Sequence, residues 1–121
     1  MKRRLAVLFG ALLLAGGSLA AERTRELSKK DLNALLAVAK TPRDHLRLAD
    51  HFEAKALKYE AEAAEHAESA KGYRARPTGS EQKHPMSPDT AAHCDYLADS
   101  LGKAAKEARK LAAAHESVAK K

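Results

Sequence analysis

From His45 to Tyr73 the chain reads HLRLADHFEAKALKYEAEAAEHAESAKGY, and its ring and alanine positions return every seven residues. Rings stand at His45, Phe52, Tyr59, His66 and Tyr73. Alanines at Ala49, Ala56, Ala63 and Ala70 fall between them at alternating spacings of four and three. Such spacing lays a single stripe along one face of an α-helix, and holding it over this length predicts a coiled-coil seam. Upstream, TPRD supplies the start. Thr41 is a good N-cap, Pro42 suits the first helical position, and Asp44 lies three residues after the cap, where a carboxylate can return the bond. With Gly72 as C-cap and Pro77 as a stop, a long helix is predicted over residues 42–72.

SKKDLNALLAVAK, just before it, predicts a short helix over 29–40: Ser28 caps it, Asp31 favours its first turn, and Leu32, Leu35, Leu36 and Ala39 share a face. The stretch from 73 to 87 is polar and carries proline and glycine, so it reads as a loop. SPDT then repeats the start signal, with Ser87 as cap and Pro88 at the first position, for a last helix over 88–119. Its seam reads Cys94, Leu97, Leu101, Ala104, Ala108, Leu111, His115, Val118. Beside it Ala91, Ala98, Ala105, Ala112 and Ala119 make a second stripe. Two long helices with matching seams predict an all-α fold, an antiparallel two-helix hairpin of the alanine-rich coiled-coil kind. Alanine at every seventh place lets the backbones approach closely, and rings fill the gaps. The short N-terminal helix, or a second copy in a dimeric bundle, is expected to cover the bare alanine stripe.

The first residues change the reading of compartment and charge. MKRRLAVLFGALLLAGGSLAAE has a basic head, a short apolar run and small residues for a peptidase, so residues 1–21 read as a signal peptide cut after Ala20 or Ala21. The apolar run is short of the roughly 20 residues a spanning helix needs, and no cysteine stands at the cut for a lipid anchor. The expectation is a periplasmic or secreted protein with residues 22–121 as one helical domain, not inserted in the membrane after cleavage. The whole chain carries 22 Lys and Arg against 16 Asp and Glu, a net +6. Removing Lys2, Arg3 and Arg4 leaves 19 against 16, or +3. These charges are interspersed, with no basic stripe to track phosphates, so no nucleic-acid partner is expected. The alanine-rich seams also lack the Trp and large aliphatic residues of membrane-surface helices.

Candidate chemistry rests on histidine and cysteine. In the expected register His66 faces Cys94 near the loop, His45 faces His115 at the open end, Phe52 meets Ala108 and Tyr59 meets Leu101. His93, His84 and Met86 would join His66 and Cys94, and imidazole, thiolate and thioether together suit copper(I) or zinc. The spacing matches no standard zinc motif, and His93 and Cys94, adjacent on a helix, point about 100° apart. His45 and His115 form only a two-ligand pair. His51 falls on the outer face of the repeat. Cys94 is the single cysteine, so no intrachain disulfide is available. A Cys94–His66 dyad lacks an orienting third group, an oxyanion hole and a substrate-sized pocket, so catalysis is not expected.

With TPRDH opening the long helix and HC at the start of the last, the chain resembles a group of small exported bacterial proteins. They share TPxDH…HC…H patterning. Here Thr41, Pro42, Asp44, His45, His93, Cys94 and His115 carry the likeness, which covers Thr41 to about Ala119. The resemblance implies a helical hairpin and no assigned activity. The expected function is a non-catalytic interaction or structural role, through self-association or another periplasmic protein. The alternative is copper or zinc binding at the loop end.

Overall fold

The computed structural model describes residues 26–121, and the expected signal peptide lies outside them. The described chain is all-helical: α1 (Lys29–Val38), α2 (Pro42–Ala75), a single 3-10 turn at Ser80–Gln82, and α3 (Ala91–Ala119). α2 and α3 pack along their length as an antiparallel hairpin. The antiparallel sense shows at both ends: His45 on α2 meets His115 on α3, while Arg74 near the end of α2 pairs with Asp95 near the start of α3.

Each start follows from its local chemistry. The Ser28 hydroxyl accepts the Asp31 N–H at the head of α1. At α2 the capping box is complete. Thr41 Oγ1 accepts from Asp44 N, and Asp44 Oδ2 accepts from Thr41 N, both at 3.1 Å. Those bonds hold the Asp44 carboxyl below its ordinary pKa.

Two boundaries depart from expectation. α2 runs through Gly72 to Ala75, and in this added turn Arg74 reaches across to Asp95. Pro77 then disfavours helix at Arg76, whose N–H bonds back to the Gly72 carbonyl. α3 starts at Ala91 rather than 88, with Thr90 as its cap in place of Ser87. Asp89 is the reason. Its carboxylate accepts from Ser80 Oγ at 2.8 Å and its carbonyl from Thr78 Oγ1 at 3.2 Å, so it belongs to the loop closure. Thr90 is fully buried: its Oγ1 accepts from His93 N at 3.3 Å and lies 2.7 Å and 2.8 Å from the carbonyls of Pro85 and Ser87, which share its single proton.

The seam lies where alanine is. Ala49, Ala56 and Ala70 on α2 are buried, as are Ala105, Ala108 and Ala112 on α3. The expected α3 seam is therefore rotated. Leu111 and Val118 are nearly half exposed, and the stripe expected to be bare supplies Ala105 and Ala112 to the interior. Physically, the smallest side chains take the line of closest approach. Phe52, Tyr59, His66 and Tyr73 are only half-buried, beside the alanines rather than between them. α1 accordingly docks along the first turns of α2, not on the alanines of α3. Leu27 lies against His51 at one end, and Leu35 and Val38 beside Arg47 at the other.

On one flank of the hairpin Arg109 makes a bidentate pair with Glu60, at 2.9 and 2.7 Å, and a further bond to Glu53. The pairing raises the Arg109 pKa and lowers that of Glu60. These groups are substantially exposed, so they orient the helices more than they stabilise them.

Two outcomes follow. Ala56→Leu should lower the unfolding free energy in urea by about 1–3 kcal/mol through overpacking, while the same change at exposed Ala61 should be close to neutral. Thr90→Ala should cost about 1–2 kcal/mol by removing the cap and the bond to the loop carbonyls.

Candidate functional site

The open end of the hairpin gathers three rings. His45, on the first turn of α2, and His115, on the last turns of α3, bring their Nδ1 atoms to 3.0 Å. The two rings meet head-on through these nitrogens, with centroids 5.3 Å apart and planes 26° from parallel. The Phe52 ring lies parallel to that of His115, at 5.7 Å and 4°. A hydrogen bond between the two imidazoles has one Nδ1 donating and the other accepting, the roles set by the tautomer. Burial depresses the His115 pKa, and the neighbouring His45 depresses it further.

His51 corrects the sequence reading most sharply. It is not on the outer face: it is 2 % exposed. Its Nδ1 accepts the Leu27 N–H at 2.9 Å, tying the chain ahead of α1 to α2. Its ring meets Phe52 edge-on at 5.1 Å. Lys55, one turn on, pairs with Glu26 at 2.7 Å, which raises the lysine pKa and lowers that of the carboxylate. A second stripe of Leu48, His51 and Lys55, spaced three and four, was the available signal. It is overshadowed by the stronger ring repeat beside it. Burial lowers the His51 pKa, the nearby Glu26 charge opposes this, and Lys55 adds to it.

The loop end does not assemble the expected ligand set. Cys94 is buried, His66 and His93 are half-buried, and His84 and Met86 are exposed on the loop. Among the described residues, neither His66 nor Cys94 makes a side-chain hydrogen bond, and His93 gives its backbone N–H to the Thr90 cap. Among the described residues, no three His, Cys, Asp or Glu side chains converge as a metal site.

Between these ends a cavity of about 340 Å³ opens between the long helices, on the side bearing the ring stripe. Phe52 and Tyr59 line it from α2, Ala104, Ala108 and Leu111 from α3, and Leu32 from α1, with Lys55 and Glu107 among the lining residues. The lining joins Phe52 to Ala108, as the sequence register expects, and brings Tyr59 together with Ala104. Among the described residues no helix is long and apolar enough to cross a membrane. No protein-family model, no curated protein and no solved structure matches the chain.

The neutral, buried His51 makes stability depend on pH. Its folded pKa is depressed below the unfolded value near 6.5, so the unfolded chain takes up the proton first. Stability should therefore be fully present above about pH 7.5 and fall as pH drops through and below about 6.5. Protonation would also remove the acceptor that holds Leu27. The melting temperature should be lower at about pH 5.5 than at about pH 8. His51→Asn, which keeps an acceptor and cannot titrate, should shrink that difference.

Proposed function

We propose that this is an exported, non-catalytic helical hairpin that works by packing its ring-lined flank against another helical surface, with a second copy of the chain as the partner. The supporting observation is the unequal covering of the two flanks. One carries interhelical ion pairs from Arg109 to Glu53 and Glu60 and from Arg74 to Asp95. The other presents Phe52, Tyr59, His66 and Tyr73 on α2 and Leu97, Ala104, Leu111 and Val118 on α3, two parallel stripes at seven-residue intervals. α1 is 10 residues long, roughly 15 Å, against a 34-residue α2 of roughly 51 Å, so it covers only part of that flank. A seven-residue repeat of apolar side chains is what a further helix needs for knobs-into-holes packing.

Export itself rests on the amino-terminal pattern alone. Maturation at Ala20 or Ala21 would be read from the amino terminus of protein recovered from a periplasmic fraction. For the packing role, the mass in solution by light scattering should exceed that of one chain at micromolar concentration. Leu111→Glu, at a half-exposed position on the flank, should return it to the mass of one chain with helicity intact. A wild-type protein that stays monomeric as concentration rises would remove self-association from this reading.

A further inference from the structure

The geometry around His51 points to an acid-sensitive latch: we propose that its neutral imidazole straps α1 to the hairpin, and that its protonation frees α1 while α2 and α3 stay paired. The latch stands apart from the packing role. α1 is the weakly held element. At 10 residues it is shorter than the roughly 12–15 that persist as an isolated helix in water, so it stays helical only while docked. Of its own residues only Leu35 is buried. α2 and α3, by contrast, are joined along their length by buried alanines and by the Arg109 and Arg74 ion pairs.

Two contacts hold the chain entering α1. One is the Leu27 N–H on His51 Nδ1 at 2.9 Å, and the other is the Glu26–Lys55 pair at 2.7 Å. The ion pair is open to water on both sides and contributes little. The hydrogen bond rests on an enclosed ring. An imidazole accepting at Nδ1 carries its single proton on Nε2, so a second proton must enter at Nδ1 and face the Leu27 N–H, donor against donor. The charged groups around the ring do not rescue the cation. From its own helix Lys55 opposes it. From the chain ahead of α1 Glu26 favours it, but Lys55 already claims that carboxylate. From α3 Glu107 lines the same cavity and is paired with Lys110. Freeing α1 returns the ring to water and withdraws Leu32 from the cavity wall that it shares with Phe52 and Tyr59. The freed state takes the proton at the ordinary pKa near 6.5, so acid draws α1 off. At about pH 5.5 that ordinary value limits the gain in the freed population to about tenfold.

The test is amide hydrogen exchange by NMR at about pH 8 and about pH 5.5, with rates corrected for the intrinsic effect of pH. The amides of Leu35 and Leu36 should be less protected than those of Ala105 and Ala108 at both values. Their protection should fall several-fold, up to about tenfold, in acid. His51→Asn, which keeps an acceptor and cannot titrate, should abolish the fall in α1, while His115→Gln should leave it in place. Equal protection of α1 and the seam, which makes them one opening unit, would overturn the latch. So would a fall that persists in His51→Asn or vanishes in His115→Gln. Should His51→Asn fail to fold by circular dichroism, the wild-type pH profile decides. Protection of α1 that declines below about pH 6.5 with the slope of one proton supports the latch, and a flat profile overturns it.

Discussion

Close approach between two alanine-lined helices governs the rest of this molecule. Each buried alanine gives up little area, so the line of contact supplies proximity more than hydrophobic weight. With the backbones near, larger groups have no room on that line and must sit to either side. The two flanks then diverge in character. Carboxylates and guanidinium groups meet across one, and rings and leucines collect on the other. The placement of α1 is a further consequence: the alanines of α3 are already covered, and the chain leading into α1 is tied instead to His51 and Lys55 of α2.

Much of the architecture was legible in the sequence because its causes are local. Thr41, Pro42 and Asp44 fix the start of α2 whatever happens elsewhere, and the capping box forms as the residues predict. The pairing of His45 with His115 was legible too, since a seven-residue repeat on both helices leaves few registers. What the repeat could not tell is which of two neighbouring stripes on α3 faces inward. Leucine is the more hydrophobic and reads as core, yet the small alanines occupy the interior because helix separation, a property of the pair, decides the matter. Cys94, which the sequence places on the seam, is buried there. Asp89 illustrates a different limit. Its carboxylate looks like part of a helix start until Ser80 and Thr78, brought near only by the folded loop, claim it.

The histidines show how one residue type takes separate roles from its surroundings. His84 sits exposed on the loop, His66 stands half-buried on the ring stripe, and His51 serves as a buried acceptor for a backbone amide. Only His45 and His115 aim ring nitrogens at each other.

Arg109 carries one more consequence. It reaches both Glu53 and Glu60, which lie seven residues apart on α2. Because the alanines also recur at seven, sliding one helix past the other by that interval would leave small side chains opposite small side chains, with little to tell the two alignments apart. The guanidinium breaks this degeneracy, since after such a slip it would find only one of its two carboxylates. A vernier needs one distinctive mark among many identical ones. Here the repeating methyl groups let the rods lie close, and Arg109, with the Arg74–Asp95 pair beyond it, tells them where to stop.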